Sequence, residues 1–156
     1  MKALHRRTTV GARRRFREFD IELDKGLFGS AWLKDSRIAA VVIRGLKDTE
    51  EKGSWRLHAW VVMSNHVHVL FEPRAPLRTI VQAVKGRTAR EANLLFGRVG
   101  NHFGQSESFD HWIRNVEELE RVRSYIERNP VVAGLVQRPE DWPWSSAGER
   151  SRGAGV

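Results

Sequence analysis

The 156-residue chain contains no cysteine, a single tyrosine and two methionines. Without thiols it can build no disulfide framework, no thiolate zinc site and no cysteine nucleophile, and it suits a reducing compartment. No apolar run approaches the roughly 20 residues needed to span a bilayer. The basic N-terminal stretch lacks the apolar segment after Arg6-Arg7 that a leader requires. The expectation is a cytoplasmic protein with no membrane partner, associated with the nucleoid if its partner is DNA. At this length one domain with a real core is expected.

Acidic residues are outnumbered by basic ones, 19 to 27, and the bases are mostly arginine, whose planar fork matches phosphate oxygens. Nucleic acid is therefore the first partner to consider, since binding phosphates releases counterions without any need for base sequence. A solvated basic surface accounts for the same composition.

The stretch Met63-Ser64-Asn65-His66-Val67-His68-Val69-Leu70-Phe71 has the alternation of a strand. His66 and His68 fall on one face, with Val67, Val69 and Phe71 on the other. Two residues along a strand span about 6.6 Å, from which two imidazoles can lean onto one metal. A pair of hydrogen-bonded or solvent-facing strand histidines fits the motif too.

Residues 1–15, with Arg6, Arg7, Arg13, Arg14 and Arg15, form a basic arm. A helix is expected from Arg15 to Lys25, where Phe16, Phe19, Ile21 and Leu23 fall among charges before Gly26. Asp35 caps a second helix from Ser36. Trp55 to Met63 is expected as a strand with Trp55, Leu57, Ala59, Val61 and Met63 on one face, joined through Ser64-Asn65 to the histidine strand as a tight antiparallel hairpin. Pro73 and Pro76 end that sheet strand. Leu77, Ile80, Val81, Val84, Ala89, Ala92, Leu95 and Phe96 then recur at helical spacing, with Arg78, Lys85, Arg87 and Arg90 on the opposite side. Such a basic helix suits solvent or, beside a metal site, a phosphate backbone. Gly97 to Gly104 resists assignment, and Ser108 to Ile113 reads as a strand.

Asn115 and Glu118 have the spacing of a capping box for a helix with a buried stripe of Val116, Leu119, Val122 and Ile126, ended by Asn129-Pro130. Tyr125 and Asn129 are one turn apart on one face. Beyond it, Trp142 and Trp144 are expected to pin an irregular segment to the body. The domain is thus bounded at 16–147, with a flexible tail over 148–156.

Three blocks taken together carry a resemblance: Trp60-Val61-Val62-Met63-Ser64-Asn65-His66-Val67-His68, Tyr125-Ile126-Glu127-Arg128-Asn129-Pro130-Val131-Val132-Ala133-Gly134-Leu135-Val136, and Trp142-Pro143-Trp144-Ser145-Ser146. In order and spacing, over roughly residues 30 to 147, they resemble the REP-associated tyrosine transposases. These are single-tyrosine HUH enzymes (histidine, hydrophobe, histidine) of the insertion-sequence-200-like transposase family. The resemblance implies an α+β, ferredoxin-like antiparallel sheet flanked by helices. It implies that His66, His68 and Asn129 bind Mg²⁺ or Mn²⁺, and that Tyr125 attacks single-stranded DNA to leave a 5′-phosphotyrosine and a free 3′-hydroxyl. The expected DNA has a hairpin or palindromic end, bound by a monomer or homodimer. Arg114, Arg121 and Arg128 join the basic residues of the preceding helix as candidate phosphate contacts.

Two departures stand against the pattern. The family's opening strand has no counterpart in residues 1–15, so the sheet either lacks its usual first strand or takes it from another segment. The common Trp-Gln-Arg appears as Gly104-Gln105-Ser106. A domesticated, catalytically impaired hairpin-binding protein is the alternative these departures raise. A histidine-triad phosphohydrolase would need a third histidine at the position of Leu70.

Overall fold

The computed structural model describes residues 16–22, 33, 35–97 and 108–154. The basic arm 1–15 and the segment Gly104-Gln105-Ser106 lie outside the described residues. The element order is β1 (Phe16–Glu22), α1 (Ser36–Glu51), β2 (Trp55–Val62), β3 (His66–Pro73), α2 (Leu77–Leu95), β4 (Ser108–Ile113), α3 (Val116–Val132), a 3-10 turn (Pro139–Asp141) and α4 (Ser146–Gly153). The strands form one sheet in the order β2-β3-β1-β4, with every neighbouring pair antiparallel. This is the split βαβ arrangement of a ferredoxin-like fold.

Phe16–Glu22 is a strand, not the helix expected there, and it occupies the interior place that seemed unfilled. Phe19 and Ile21 alternate with Glu18, Asp20 and Glu22, a period of two that fits a strand and not a helical stripe. In register, Phe19 stands opposite Val69 and Ile21 opposite Val67.

The expected hairpin is present, closed by the Met63 N–H donating to the His66 carbonyl at 2.9 Å. The residues expected on one face of β2 divide between its two faces. A bulge between Leu57 and Ala59 shifts the alternation, so Trp55 packs with Val67, Val69 and Phe71 while Ala59, Val61 and Met63 pack with Leu70 on the other side. At the bulge the Leu57 N–H finds the Glu50 carboxylate at 2.7 Å.

Helices α1 and α2 cover the first of these faces, with Ile38, Val42 and Leu46 from α1 and Ile80, Val84 and Ala92 from α2. Asp35 caps α1 as expected, accepting from the Arg37 N–H at 2.9 Å. Gly45 lets the two helices approach, since a Cβ there would stand 3.1 Å from Thr88 Oγ1. No described helix is long and apolar enough to cross a membrane.

Helix α3 covers the second face through Ile126, with Leu119 and Val122 beside it. Asn115 caps it by accepting from the Glu118 N–H at 2.7 Å, while the Glu118 carboxylate reaches back to the Arg114 N–H rather than to that of Asn115. Val116, expected in the buried stripe, is exposed because it opens the helix before the packed turns begin. The helix also continues through Pro130 to Val132. It ends where Gly134 takes φ of 70°, with Gly134 N–H donating to Val131 and Leu135 N–H to Pro130, both at 2.9 Å, which is a Schellman stop. Asn129 is therefore an interior helical residue and not a C-cap.

Because β2 is an edge strand, its free backbone needs cover. The Trp142–Ser146 segment supplies it: Val62 N–H donates to the Trp144 carbonyl at 2.8 Å, and Trp142 Nε1 to the Val62 carbonyl at 3.0 Å. The two tryptophans do pin this segment, but no tail begins at Gly148, since Ser145 caps a further helix through Gly153. Ser146 Oγ accepts from the Trp60 N–H at 3.2 Å and donates to the Glu127 carboxylate at 2.8 Å. Arg150 reaches the same carboxylate at 2.7 Å, so Glu127 fastens α3 to α4 and, through Ser146, to β2.

A Cβ at Gly148 would collide with the Trp142 carbonyl oxygen and stand 3.0 Å from its carbon. Gly148→Ala is expected to cost about 1–3 kcal/mol, read as a lowered urea midpoint; an unchanged midpoint would refute the close packing. Glu127→Ala leaves Ser146 and Arg150 without their shared acceptor, and a loss of about 1–3 kcal/mol is expected. Wild-type stability in that variant would mean the contact does not hold the helix.

Candidate functional site

The alternation of β3 puts Val67, Val69 and Phe71 into the core under α1 and α2. His66 and His68 are left on the face that α3 crosses. Their rings meet edge to face with centroids 4.6 Å apart. His68 is buried, at 6% exposure, and His66 is half-buried.

Asn65 Oδ1 lies 2.7 Å from His66 Nδ1. An amide oxygen accepts, so this contact suits the tautomer in which Nδ1 is the donor and Nε2 carries the lone pair. That is the tautomer a metal-ligating histidine needs, fixed by a neighbour in the manner usual for metal sites. The sequence reading treated Asn65 only as a turn residue; an acceptor side chain directly before a His-x-His strand was the available signal.

Tyr125 comes to the same place from α3. Its ring centroid is 5.8 Å from that of His68, in edge-to-face contact, yet the residue is 55% exposed. One side of the phenol thus touches an imidazole while the rest faces solvent, where a large substrate can reach it. Ile126, next in sequence, is fully buried and sets the rotation of the helix; the Glu127 contact sets its position along the sheet. No sequence signal marked Glu127, Ser146 or Arg150 as a group, because their meeting depends on how α4 folds back.

Asn129 is half-buried one turn beyond Tyr125 within α3. By helical spacing Arg121 and Arg128 fall on Tyr125's side at i−4 and i+3. Both are exposed, with Arg121 held only loosely by Glu118 at 3.9 Å. Arg128 lines a cleft of about 330 Å³ with Glu120, Arg123, Ser124, Glu127 and Pro139. Arg114 is exposed just before the helix.

The basic helix α2 does not lie beside the histidines. Its buried side packs on the Val67 and Val69 face, so Arg78, Lys85, Arg87 and Arg90 belong to the far side of the sheet. Arg87 is moreover engaged by Asp48 and by Glu91. The Glu91 hydrogen bond, first, and the nearby carboxylates hold its guanidinium above its ordinary pKa and Glu91 below the usual carboxylate range. Partial burial lowers the Lys85 ammonium. Arg90 lines a cleft of about 460 Å³ with Lys52, Gly86, Arg87, Glu91 and Leu94.

Among the described residues no group of three or more His, Cys, Asp or Glu could hold a metal ion. The histidine pair itself fits such a role through its proximity and the Asn65 contact at His66 Nδ1, and Asn129 offers an amide oxygen.

Comparison with known proteins agrees with this fold. None of the curated proteins matches the chain. Among solved structures it is similar to a REP-associated tyrosine transposase bound to a REP hairpin, with 20% identity and a TM-score of 0.71 over 91% of this chain and 82% of that one. It is also similar to a protein of Deinococcus radiodurans R1 assigned as a transposase, with 21% identity and a TM-score of 0.50 over 82% of this chain and 97% of that one. At these identities the likeness is one of fold. The sequence model of the family described as "Transposase IS200 like" matches residues 30–129, a span that includes both histidines and Tyr125. The chain belongs to the IS200-like transposase family.

Proposed function

We propose that this transposase cleaves and rejoins single-stranded DNA next to a hairpin, with Tyr125 as the nucleophile. The observation that supports this most is the convergence of His66, His68 and Tyr125, with successive ring separations of 4.6 and 5.8 Å. A strand and a distant helix bring together the two residue types the reaction needs, within one chain.

In this reading His66, His68 and Asn129 hold Mg²⁺ or Mn²⁺, a choice that imidazole and amide ligands leave open. The bound cation supplies Lewis-acid polarisation of the scissile phosphate. Asn65 keeps His66 in its ligating tautomer, and the burial of His68 restrains its ring. Tyr125 Oη forms a bond to phosphorus, its proton passing to solvent at the exposed side. The bond from phosphorus to the 3′ oxygen breaks, and that oxygen takes up a proton. The products are a 5′-phosphotyrosine and a 3′-hydroxyl. Attack by a 3′-hydroxyl on the phosphotyrosine reverses the step and joins strands without ATP.

Arg121 and Arg128 flank the phenol and suit the non-bridging phosphate oxygens, with Arg114 extending the path. On the far face, Arg78, Lys85 and Arg90 attract the polyanion more generally, while Arg87 is already paired. Gel analysis after incubation with hairpin-flanked single-stranded DNA and Mn²⁺ is expected to yield a covalent adduct. Tyr125→Phe, His66→Ala and chelation should each abolish it. Hairpin binding without any adduct would favour the impaired, binding-only alternative. The lack of a first strand, which helped motivate that alternative, does not apply, since β1 fills that place.

Asn65→Ala should retain the fold yet weaken Mn²⁺ binding about 10–100-fold, the usual cost of losing a group that orients a ligand. Unchanged affinity in calorimetric titration would remove Asn65 from the site.

A further inference from the structure

Helix α3 meets the sheet along a narrow line. Its buried residues are Ile126 and Pro130, four apart and so one above the other on a single face, with Leu119 and Val122 only partly buried beside them. Such a line holds the helix against the sheet but resists a roll about the helix axis poorly. At about 100° per residue, Tyr125 and Glu127 project on opposite flanks of Ile126. If the helix rolls, the phenol and the Glu127 carboxylate move together, in opposite senses relative to the sheet. A roll of about 10° displaces an atom about 6 Å from the axis by about 1 Å, and an error of about 1 Å at a reacting centre can cost about 100-fold in rate. The flank away from the phenol is where α3 is gripped. Glu127 Oε1 lies 2.7 Å from Arg150 Nη2 and accepts from Ser146 Oγ at 2.8 Å. Both partners are fixed from elsewhere: Ser146 Oγ accepts from the Trp60 N–H of β2, and Glu149, next to Arg150, reaches Lys47 of α1 at 2.8 Å. α4 is thus tied to the sheet edge and to the opposite layer while it holds the tyrosine helix.

We propose that Glu127, Ser146 and Arg150 are positioning residues for strand cleavage: they form a clasp that sets the roll of α3 and keeps the Tyr125 phenol against His68. None of the three needs to touch DNA. The proposal rests on the reading that Tyr125 is the nucleophile, and it assigns to the C-terminal helix a part in the reaction rather than in stability alone.

The test is the single-turnover rate of adduct formation by the full-length chain at saturating hairpin-flanked single-stranded DNA with Mn²⁺, well below the unfolding temperature. Arg150→Gln and Glu127→Gln should each slow it about 10–100-fold at unchanged hairpin affinity. Because they act through one contact, the double variant should be no slower than the slower single one. Arg44→Gln, which breaks an ion pair with Glu91 on the opposite layer, should keep the wild-type rate. Wild-type rates in both single variants overturn the proposal, as do effects that multiply in the double variant. If Arg150→Gln does not fold, Arg150→Lys, which keeps the charge but loses the planar fork, carries the same test. A second readout needs neither DNA nor metal. Tyr125 is the single tyrosine of the chain, so 3-fluorotyrosine labelling gives one ¹⁹F signal from its ring. Arg150→Gln should shift or broaden that signal while Arg44→Gln leaves it in place, and an unaltered signal in Arg150→Gln overturns the clasp. A wild type that forms no adduct, or a Tyr125→Phe variant that still does, defeats the nucleophile reading instead; the ¹⁹F signal keeps the two failures distinct.

Discussion

β3 is hydrogen-bonded to β2 on one side and β1 on the other, so its pleat divides the protein into two unlike halves. Side chains of alternate residues must leave on opposite faces. Val67, Val69 and Phe71 anchor the layer formed by α1 and α2, and no slip by one residue is tolerable, because it would drive His66 and His68 into that core and expose the aliphatic set. The hydrophobic face thus determines where the imidazoles stand, and the chemistry inherits its precision from packing on the other side of the sheet.

The second layer solves a different problem. A helix that carries a half-exposed tyrosine cannot be buried all round, so few apolar contacts are available to hold it. Ile126, Leu119 and Val122 supply the apolar contact with the sheet. The remaining restraint is polar: Glu127 takes Ser146 on one side and Arg150 on the other. Ser146 is in turn tied to the Trp60 backbone, and the Trp142–Ser146 segment both seals the edge of β2 and sets the tyrosine helix. Lys47 adds to the same corner, lying 4.2 Å over the Trp60 ring and 2.8 Å from Glu149. Charge is distributed accordingly: the exposed Arg121 and Arg128 fall on Tyr125's side of α3, whereas Arg44 and Arg87 on the opposite layer tie α1 to α2 through Glu91 and Asp48.

What was legible in the sequence was local. The Asp35 and Asn115 caps, the Met63-to-His66 hairpin, the period-two histidine strand and the strand at Ser108–Ile113 each depend on residues within a few positions of one another. Three blocks in fixed order carried the family and, with it, the ferredoxin-like fold. The misreadings share a cause in longer-range context. Phe16–Glu22 is a strand because β3 and β4 pair with it on both sides. The face of Trp55 was misjudged because one bulge, satisfied by Glu50 from α1, changes the count. Pro130 did not end α3 because the helix there is packed, and the stop waits for Gly134. The helix from Ser146 exists because Gly148 allows close approach to the Trp142 carbonyl.

By itself, then, the sequence determined the alternation that sets two histidines apart from a core, the helical spacing of Tyr125 and Asn129, and the lack of any thiol chemistry, since these follow from residue identity and backbone period alone. Only the tertiary structure decided that Tyr125 meets His68, that α2 lies on the far side of the sheet, and that β1 pairs between β3 and β4. Those relations depend on which strand pairs with which and on where each helix crosses, and such pairings are chosen by the burial of the whole apolar surface at once.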